Sequence, residues 1–221
     1  RVLTAFACDE PDRVPIDYAA SPGIDARLKE HYGLRDDDDA GLRAALGVDF
    51  VPVTAPYVGP KLHADDEERG VIANEWGVRM RWAQHESGGY WDFCDFPLQN
   101  ADEDEVANWP LPSPDDFDYS WISEFCETHE DMALYVGDPG IGDVINANGM
   151  LRGMEQSLVD LISDDPAGLL LARRRIDIQL TKLARTIEEA RGRIAFLWMG
   201  EDLGTQIAPM ISPALFERHI R

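Results

Sequence analysis

The sequence predicts an α/β protein, because apolar runs of strand length alternate with segments of helical periodicity. Residues 194–199 are apolar without interruption, which is typical of a parallel strand covered by helices. Residues 165–187, just before that run, repeat apolar side chains at helical spacing. The alternation fits either a doubly wound sheet or a barrel. Both folds bind ligands at the carboxyl ends of their strands.

The first quarter of the chain is predicted to form two units, each with a strand and a helix. Residues 14–18 are β-prone, and residues 24–31 have helical character. Residues 41–46 are predicted to form a second helix, and residues 49–54 a second strand.

Residues 57–130 interrupt this rhythm and are predicted to form an excursion. Within it, residues 71–82 alternate as in a hairpin strand, and Gly88-Gly89 is a candidate turn. Residues 109–116 are rich in proline, which favours an extended path over the surface.

The second half returns to the alternation of strand and helix. Residues 133–137 are predicted to be a third buried strand, and the loop 138–143 is too rich in glycine for regular structure. Helices follow, the longest of which Asp165 is predicted to cap, with an apolar stripe facing a sheet. The stripe consists of Leu169, Ile176, Leu180, Leu183 and Ile187. After the strand 194–199, residues 213–221 are predicted to form a last helix.

Composition and charge limit the classes of partner. The 221 residues are 44% hydrophobic and 28% charged, as in a globular protein. A formal net charge of -22 repels phosphate backbones and anionic lipids, so neither nucleic acid nor a membrane surface is expected as a partner. Three widely spaced cysteines do not form a disulfide framework, which favours a reducing cytoplasm. No apolar run approaches the roughly 20 residues that span a bilayer.

Acidic and amide side chains follow two of the predicted strands. Glu201 and Asp202 come directly after the run 194–199, where a carboxylate can move a proton or position a substrate. Asp138, Asp143 and Asn146 follow the preceding strand and can converge on the same pocket. The alternative is that these residues only form turns or cap helices, as Asp and Asn commonly do.

Other motifs of known chemistry are absent from the sequence. The glycines near residue 140 lack the spacing of a dinucleotide fingerprint. The five histidines and three cysteines lack the spacing of a metal site. Trp76 on the excursion can flank a planar ligand beside Glu75, although packing of the strand is the alternative.

Several short motifs together resemble the uroporphyrinogen decarboxylase superfamily. They are Glu10-Pro11-Asp12-Arg13-Val14-Pro15-Ile16-Asp17, Glu75-Trp76-Gly77, Arg152-Gly153-Met154-Glu155, Asp202-Leu203-Gly204-Thr205-Gln206 and Ile211-Ser212-Pro213. The resemblance implies a TIM-type (β/α)8 barrel, with residues 1–221 as the N-terminal portion of a single domain and 57–130 as its excursion. On this hypothesis the chain ends before the barrel closes, and the C-terminal strands are missing.

The resemblance implies one of two reactions, decarboxylation of uroporphyrinogen or methyl transfer with a corrinoid protein, and the sequence favours methyl transfer. Decarboxylation of uroporphyrinogen requires arginines that offset eight carboxylates, whereas the corresponding stretch here, Tyr18-Ala19-Ala20-Ser21-Pro22-Gly23, contains none. The catalytic aspartate of the decarboxylases is replaced by Thr54-Ala55-Pro56-Tyr57. We therefore expect a methyltransferase that exchanges a methyl group with a corrinoid (cobalamin) protein. Tetrapyrrole-pathway decarboxylation and a non-catalytic, ligand-binding barrel are the alternatives.

The resemblance and the strand-end positions together predict the residues of the site. Asp202 and Glu201 are the predicted catalytic residues. The predicted substrate-binding residues are Gln206, Asp138, Asp143, Asn146, Trp76 and Tyr57. The expected corrinoid is carried by a partner protein, and zinc, if used, would have ligands beyond Arg221, so no metal ligand is predicted within these residues. The corrinoid protein is expected to exchange the methyl group with a small acceptor or with a methylated substrate, as in an O- or N-demethylation.

Overall fold

The structure is a computed structural model that describes residues 1–86 and 88–221. Its helices are α1 (Val2–Phe6), α2 (Pro22–Tyr32), α3 (Asp39–Leu46), α4 (Glu103–Asn108), α5 (Ile122–Thr128), α6 (Ile145–Arg152), α7 (Met154–Ser163), α8 (Pro166–Glu189) and α9 (Pro213–His219). Its strands are β1 (Phe50–Val53), β2 (Val71–Ala73), β3 (Arg79–His85), β4 (Gly88–Asp95), β5 (Ala133–Gly137) and β6 (Phe196–Trp198).

A parallel sheet with the order β1-β5-β6 positions the site. Val53 of β1 is in register with Val136 of β5, which is in register with Leu197 of β6. Val53 and Val136 are buried with Ile122 of α5 and Leu183 of α8 in one apolar core. Because all three strands run the same way, their carboxyl ends meet at one edge of the sheet.

The predicted TIM-type barrel is wrong. The described residues form a three-stranded parallel sheet and a separate three-stranded antiparallel sheet, with no closed barrel. A barrel closes when its last strand pairs with its first, but β1 and β6 lie on opposite sides of β5. The molecule is therefore a mixed α/β protein. Predicted strands at residues 49–54, 133–137 and 194–199 do contain β1, β5 and β6, but closure depends on pairing between distant segments, which the alternation of strands and helices does not specify.

Residues 14–18, predicted as the first strand, are an extended connection that is held by Asp49. The backbone N–H of Ile16 donates to Asp49 Oδ2 at 2.9 Å, and the backbone N–H of Asp49 donates to the carbonyl of Ile16 at 2.8 Å. Asp49 also pairs with Arg1 at 2.6 Å and with Arg13 at 2.7 Å. The side chain and the backbone N–H of Asp49 thus make with Ile16 the hydrogen bonds that a neighbouring strand would have made.

The excursion contains the antiparallel sheet β2-β3-β4. The predicted strand 71–82 is divided between β2 and β3 by a turn at residues 74–77, where Gly77 has a φ of +85°. Gly88 and Gly89, predicted to form the hairpin turn, are the first residues of β4. The hairpin therefore exists, but its strands begin and end at other residues.

Helix α8 begins as predicted, with a buried face that differs from the prediction. The Asp165 carboxylate accepts from the N–H groups of Ala167 and Gly168 at 3.0 and 3.1 Å, and Pro166 is the first helical residue. Two members of the predicted stripe, Leu180 and Ile187, are 50% and 40% exposed. The buried residues of the helix are Ala167, Gly168, Leu171, Ala172, Arg175, Leu183 and Thr186.

A buried ion pair joins the helices to the excursion. Arg152, the last residue of α6, pairs with Asp160 of α7 at 2.6 Å, and both side chains are 3% exposed. Arg152 Nη1 also donates to the carbonyls of Leu98 and Ala101, at 3.1 and 3.0 Å. The charged pair therefore fixes the segment that follows β4 against α6 and α7.

Candidate functional site

The carboxyl ends of the parallel strands bring two acidic loops together. The loop after β5 contains Asp143, and the loop after β6 contains Glu201. Glu201 Oε2 accepts from the backbone N–H groups of Val144 and Ile145, at 2.6 and 3.2 Å. Because these N–H groups begin helix α6, Glu201 binds one loop to the other at a helix N-terminus.

Asp143 lies at the same helix terminus and is buried. Its Oδ1 accepts from the N–H groups of Asn146 and Ala147, at 2.8 and 3.3 Å, and the residue is 6% exposed. The other Glu201 oxygen, Oε1, is buried and has no hydrogen-bond donor among the described residues. Two carboxyl groups therefore share a site in which only part of their hydrogen-bonding capacity is used.

The pKa of Glu201 is raised to about 7, chiefly by burial; the neighbouring Asp143 adds to the shift, and the N–H of Val144 opposes it. A carboxyl with this pKa is half protonated near neutral pH. The protonated form can donate a hydrogen bond to Asp143, so that the two groups share one proton, as in other carboxyl pairs. Such a pair can act as a general acid or base.

Arg175 of α8 provides positive charge near Asp143. Its side chain is 6% exposed, and its guanidinium lies 5.6 Å from the ring centroid of Trp76. Burial lowers the pKa of Arg175 to about 10, and the charge of Asp143 opposes that shift. Attraction to Asp143 therefore offsets part of the cost of burying this guanidinium.

Asp202 and Asn146 meet at the exposed side of the pair. Asn146 Nδ2 donates to Asp202 Oδ2 at 3.1 Å, and Asp202 is exposed. This contact fixes the orientation of the amide, whose Oδ1 remains available for a ligand. Asp202 therefore acts on the site through Asn146.

A cavity of about 510 Å³, which we call the carboxyl cavity, opens beside these groups. It is lined by Phe93, Phe96, Pro139, Gly140, Asp143, Asn146, Gly149, Met150, Met154, Gly200, Glu201 and Asp202. Its acidic side faces aromatic and methionine side chains, and its lining contains neither lysine nor arginine. A small neutral or cationic ligand suits these walls better than a polyanion does.

The remaining predicted site residues lie elsewhere. Asp138 and Trp76 line a neighbouring cavity of about 330 Å³. The hydroxyl of Tyr57 donates to the carbonyl of Pro60 at 2.7 Å, and its ring packs edge-on against Phe117. Gln206 is exposed and lines neither cavity. The structure thus brings together Glu201, Asp202, Asp143 and Asn146, but not the other four.

The neighbouring cavity, which we call the lysine cavity, contains residues that the sequence analysis did not predict. It is lined by Pro52, Val53, Thr54, Glu75, Trp76, Tyr135, Val136, Gly137, Asp138, Ile141, Gln179, Lys182, Leu183, Thr186 and Trp198. Gln179 and Lys182 come from α8, whose buried face matches the predicted stripe only in part. The one signal in the sequence was a lysine directly before the apolar Leu183, within a helix that packs on a sheet.

No group of His, Cys, Asp and Glu side chains in the described residues is arranged to hold a metal ion. The described helices include none that is long and apolar enough to cross a bilayer. Comparison with protein-family models, curated proteins and solved structures finds no match to this chain. The resemblance to the uroporphyrinogen decarboxylase superfamily therefore depends on the short motifs alone.

Proposed function

We propose that this protein removes the methyl group from a small methoxylated molecule and that Glu201 protonates the oxygen that is left behind. The observation that carries this proposal is the half-buried Glu201 carboxyl, whose pKa is raised to about 7, in the wall of the carboxyl cavity. An alkoxide or phenolate is a poor leaving group until it is protonated. A carboxyl that holds its proton near neutral pH is suited to that task.

The methyl acceptor follows from the resemblance and is a reduced corrinoid on a partner protein, which supplies the nucleophile. The methyl–oxygen bond breaks, its electron pair stays on oxygen, and the oxygen accepts the proton of Glu201. Phe93, Phe96 and Met154 line the cavity and are 44%, 37% and 38% exposed, so they offer an apolar rim against which a flat macrocycle can pack. No group of side chains among the described residues is arranged to bind a zinc ion.

Decarboxylation of uroporphyrinogen suits this cavity less well. Its lining carries three carboxyl groups, those of Asp143, Glu201 and Asp202, and no cationic side chain. A substrate with eight carboxylates would meet charges of its own sign in a site of low polarity. We therefore rank methyl transfer above decarboxylation.

The test combines the protein with guaiacol (2-methoxyphenol) and free cob(I)alamin, which replaces the partner's corrinoid. We expect catechol to form while the absorbance of cob(I)alamin declines. Glu201→Gln is expected to lower turnover at least about 100-fold, because the amide has no acidic proton. The matched control is Glu188→Gln, which alters an exposed glutamate at the end of α8 and is expected to keep the wild-type rate.

Asp202→Asn is a second informative variant. We expect it to lower turnover through loss of the charge that orients Asn146, and to leave the stability unchanged because the residue is exposed. Full activity in Glu201→Gln would refute the proposal. Binding of guaiacol without turnover would also refute it and would favour a ligand-binding protein. Conversion of uroporphyrinogen to coproporphyrinogen would refute it as well.

A further inference from the structure

Lys182 differs from the other lysines of the chain in having no ion-pair partner among the described residues. Lys29 pairs with Asp25 at 2.8 Å, and Lys61 pairs with Asp65 at 2.8 Å. Lys182 Nζ instead lies 4.3 Å from the ring centroid of the buried Phe117. In a chain with 42 acidic and 20 basic residues, a half-buried lysine without a paired carboxylate is unexpected.

The walls of the lysine cavity suit a small aromatic ligand. Trp76, Tyr135 and Trp198 contribute aromatic rings, and Tyr135 and Trp198 have ring centroids 5.8 Å apart. Gln179 Oε1 is buried and has no hydrogen-bond donor in the described part of the chain. The volume of about 330 Å³ is enough for a single substituted ring. The cavity therefore offers apolar walls, an unused acceptor and one amine.

The charges of the cavity favour a carbonyl compound over an anion. Glu75 and Asp138 line the same cavity, so a carboxylate ligand would be repelled by two like charges. Burial lowers the pKa of Lys182, while Glu75 and Asp138 oppose the shift. A desolvated amine loses its proton more readily and becomes a nucleophile.

We propose that Lys182 forms a Schiff base with a small aromatic aldehyde bound in the lysine cavity. The lone pair of Nζ attacks the carbonyl carbon, and a proton moves from the nitrogen to the carbonyl oxygen, which becomes a hydroxyl group. That hydroxyl leaves as water after a second protonation, and a carbon–nitrogen double bond forms. The product is a cationic imine, whose charge is stabilised by Glu75 and Asp138, which line the same cavity. No oxidant or further reactant is needed.

The wild-type protein provides the first test. Incubation of the full chain with benzaldehyde and sodium cyanoborohydride at neutral pH converts any imine into a stable benzylamine, which peptide mapping by mass spectrometry locates. We expect Lys182 to be labelled at least about tenfold faster than Lys61, which is exposed and paired with Asp65. Labelling of both lysines at equal rates, or no labelling of Lys182, would overturn the proposal.

Variants separate the lysine cavity from the carboxyl cavity. Lys182→Arg keeps the positive charge and is expected to abolish the fast labelling, whereas the matched Lys61→Arg is expected to retain it. Glu201→Gln is expected to label at the wild-type rate, because Glu201 lines the other cavity. Benzoate is the competitor in a last control. If benzoate slowed the labelling of Lys182 by benzaldehyde and reductant, the lysine cavity would be an anion site, which would contradict the proposal.

Discussion

At the scale of single residues, Glu201 links stability to pH in a direction opposite to that of most carboxylates. The pKa values of Asp25 and Asp95 are lowered, in both cases chiefly by a hydrogen bond from a basic side chain. Such groups stabilise the folded state above their ordinary pKa and lose that effect in acid. Glu201 has a raised pKa because it is desolvated and lies beside Asp143. Its ionisation therefore weakens the fold.

The folded protein holds the Glu201 proton up to about pH 7, whereas the unfolded chain releases it near the ordinary value of 4.5. The stabilising contribution is complete below that ordinary value and is lost as pH rises to about 7. We expect the wild type to lose about 1–3 kcal/mol of stability relative to Glu201→Gln over this interval. Urea denaturation at a series of pH values measures the difference.

Glu188→Gln is the control for this measurement, since its side chain is exposed and it should follow the wild type. A constant difference between wild type and Glu201→Gln across the interval would show that Glu201 titrates as an ordinary glutamate. In that case Glu201 could not serve as the general acid of the proposed demethylation.

At the scale of elements, the ion pair of Arg152 and Asp160 is expected to affect stability strongly, because both charges are buried. Asp160→Asn removes the buried counterion of Arg152, so that the desolvation of the guanidinium is offset only by Asp165, which lies 3.5 Å away and is 37% exposed. We expect a loss of about 3–5 kcal/mol in the free energy of unfolding, measured in urea. The exposed pair of Arg193 and Glu127 offers a comparison, and Glu127→Gln should cost at most about 1 kcal/mol. Equal effects of the two variants would contradict this account.

Elements with local signals were predictable from the sequence. Asp165 and Pro166 specify the start of α8, and the apolar run 133–137 matches β5 residue for residue. Residues 14–18 were not predictable in the same way, because the side chain and the backbone N–H of Asp49 take the hydrogen bonds of Ile16. Propensity describes a segment alone and contains no information about which distant group will bind it.

The candidate site was predictable only where sequence position implied spatial proximity. Glu201 and Asp143 follow neighbouring parallel strands, so their convergence follows from the topology of the sheet. Phe93 of β4 and Phe96, which directly follows that strand, reach the carboxyl cavity, and Lys182 reaches the lysine cavity from α8. Their placement depends on how the elements pack, which no local pattern specified.

At the scale of the whole molecule, the parallel sheet has an exposed edge. Among the described strands, β6 pairs only with β5, and Leu197, Trp198 and Met199 are 42%, 37% and 51% exposed. An apolar edge strand with free backbone groups is a template for association. We therefore expect the chain in isolation to associate at this edge.

Leu197→Lys places a charge on that edge and is expected to increase the monodisperse fraction, measured by size-exclusion chromatography with light scattering. Leu180→Lys is the matched control, because Leu180 is 50% exposed but lies on a helix without free backbone groups. An equal increase of the monodisperse fraction in both variants would show that the effect comes from net charge and not from the edge strand. A wild-type chain that is already monodisperse would contradict the expectation.

The loop between β5 and α6 has a further consequence, because it forms a wall of both cavities. Asp138 lines the lysine cavity, Pro139 lines the carboxyl cavity, and Gln179 Nε2 donates to the carbonyl of Gly140 at 3.1 Å. A ligand in the lysine cavity that draws Gln179 away from this carbonyl frees the backbone that borders the carboxyl cavity. Binding in the two cavities then becomes linked, and each ligand changes the affinity of the protein for the other by the same factor.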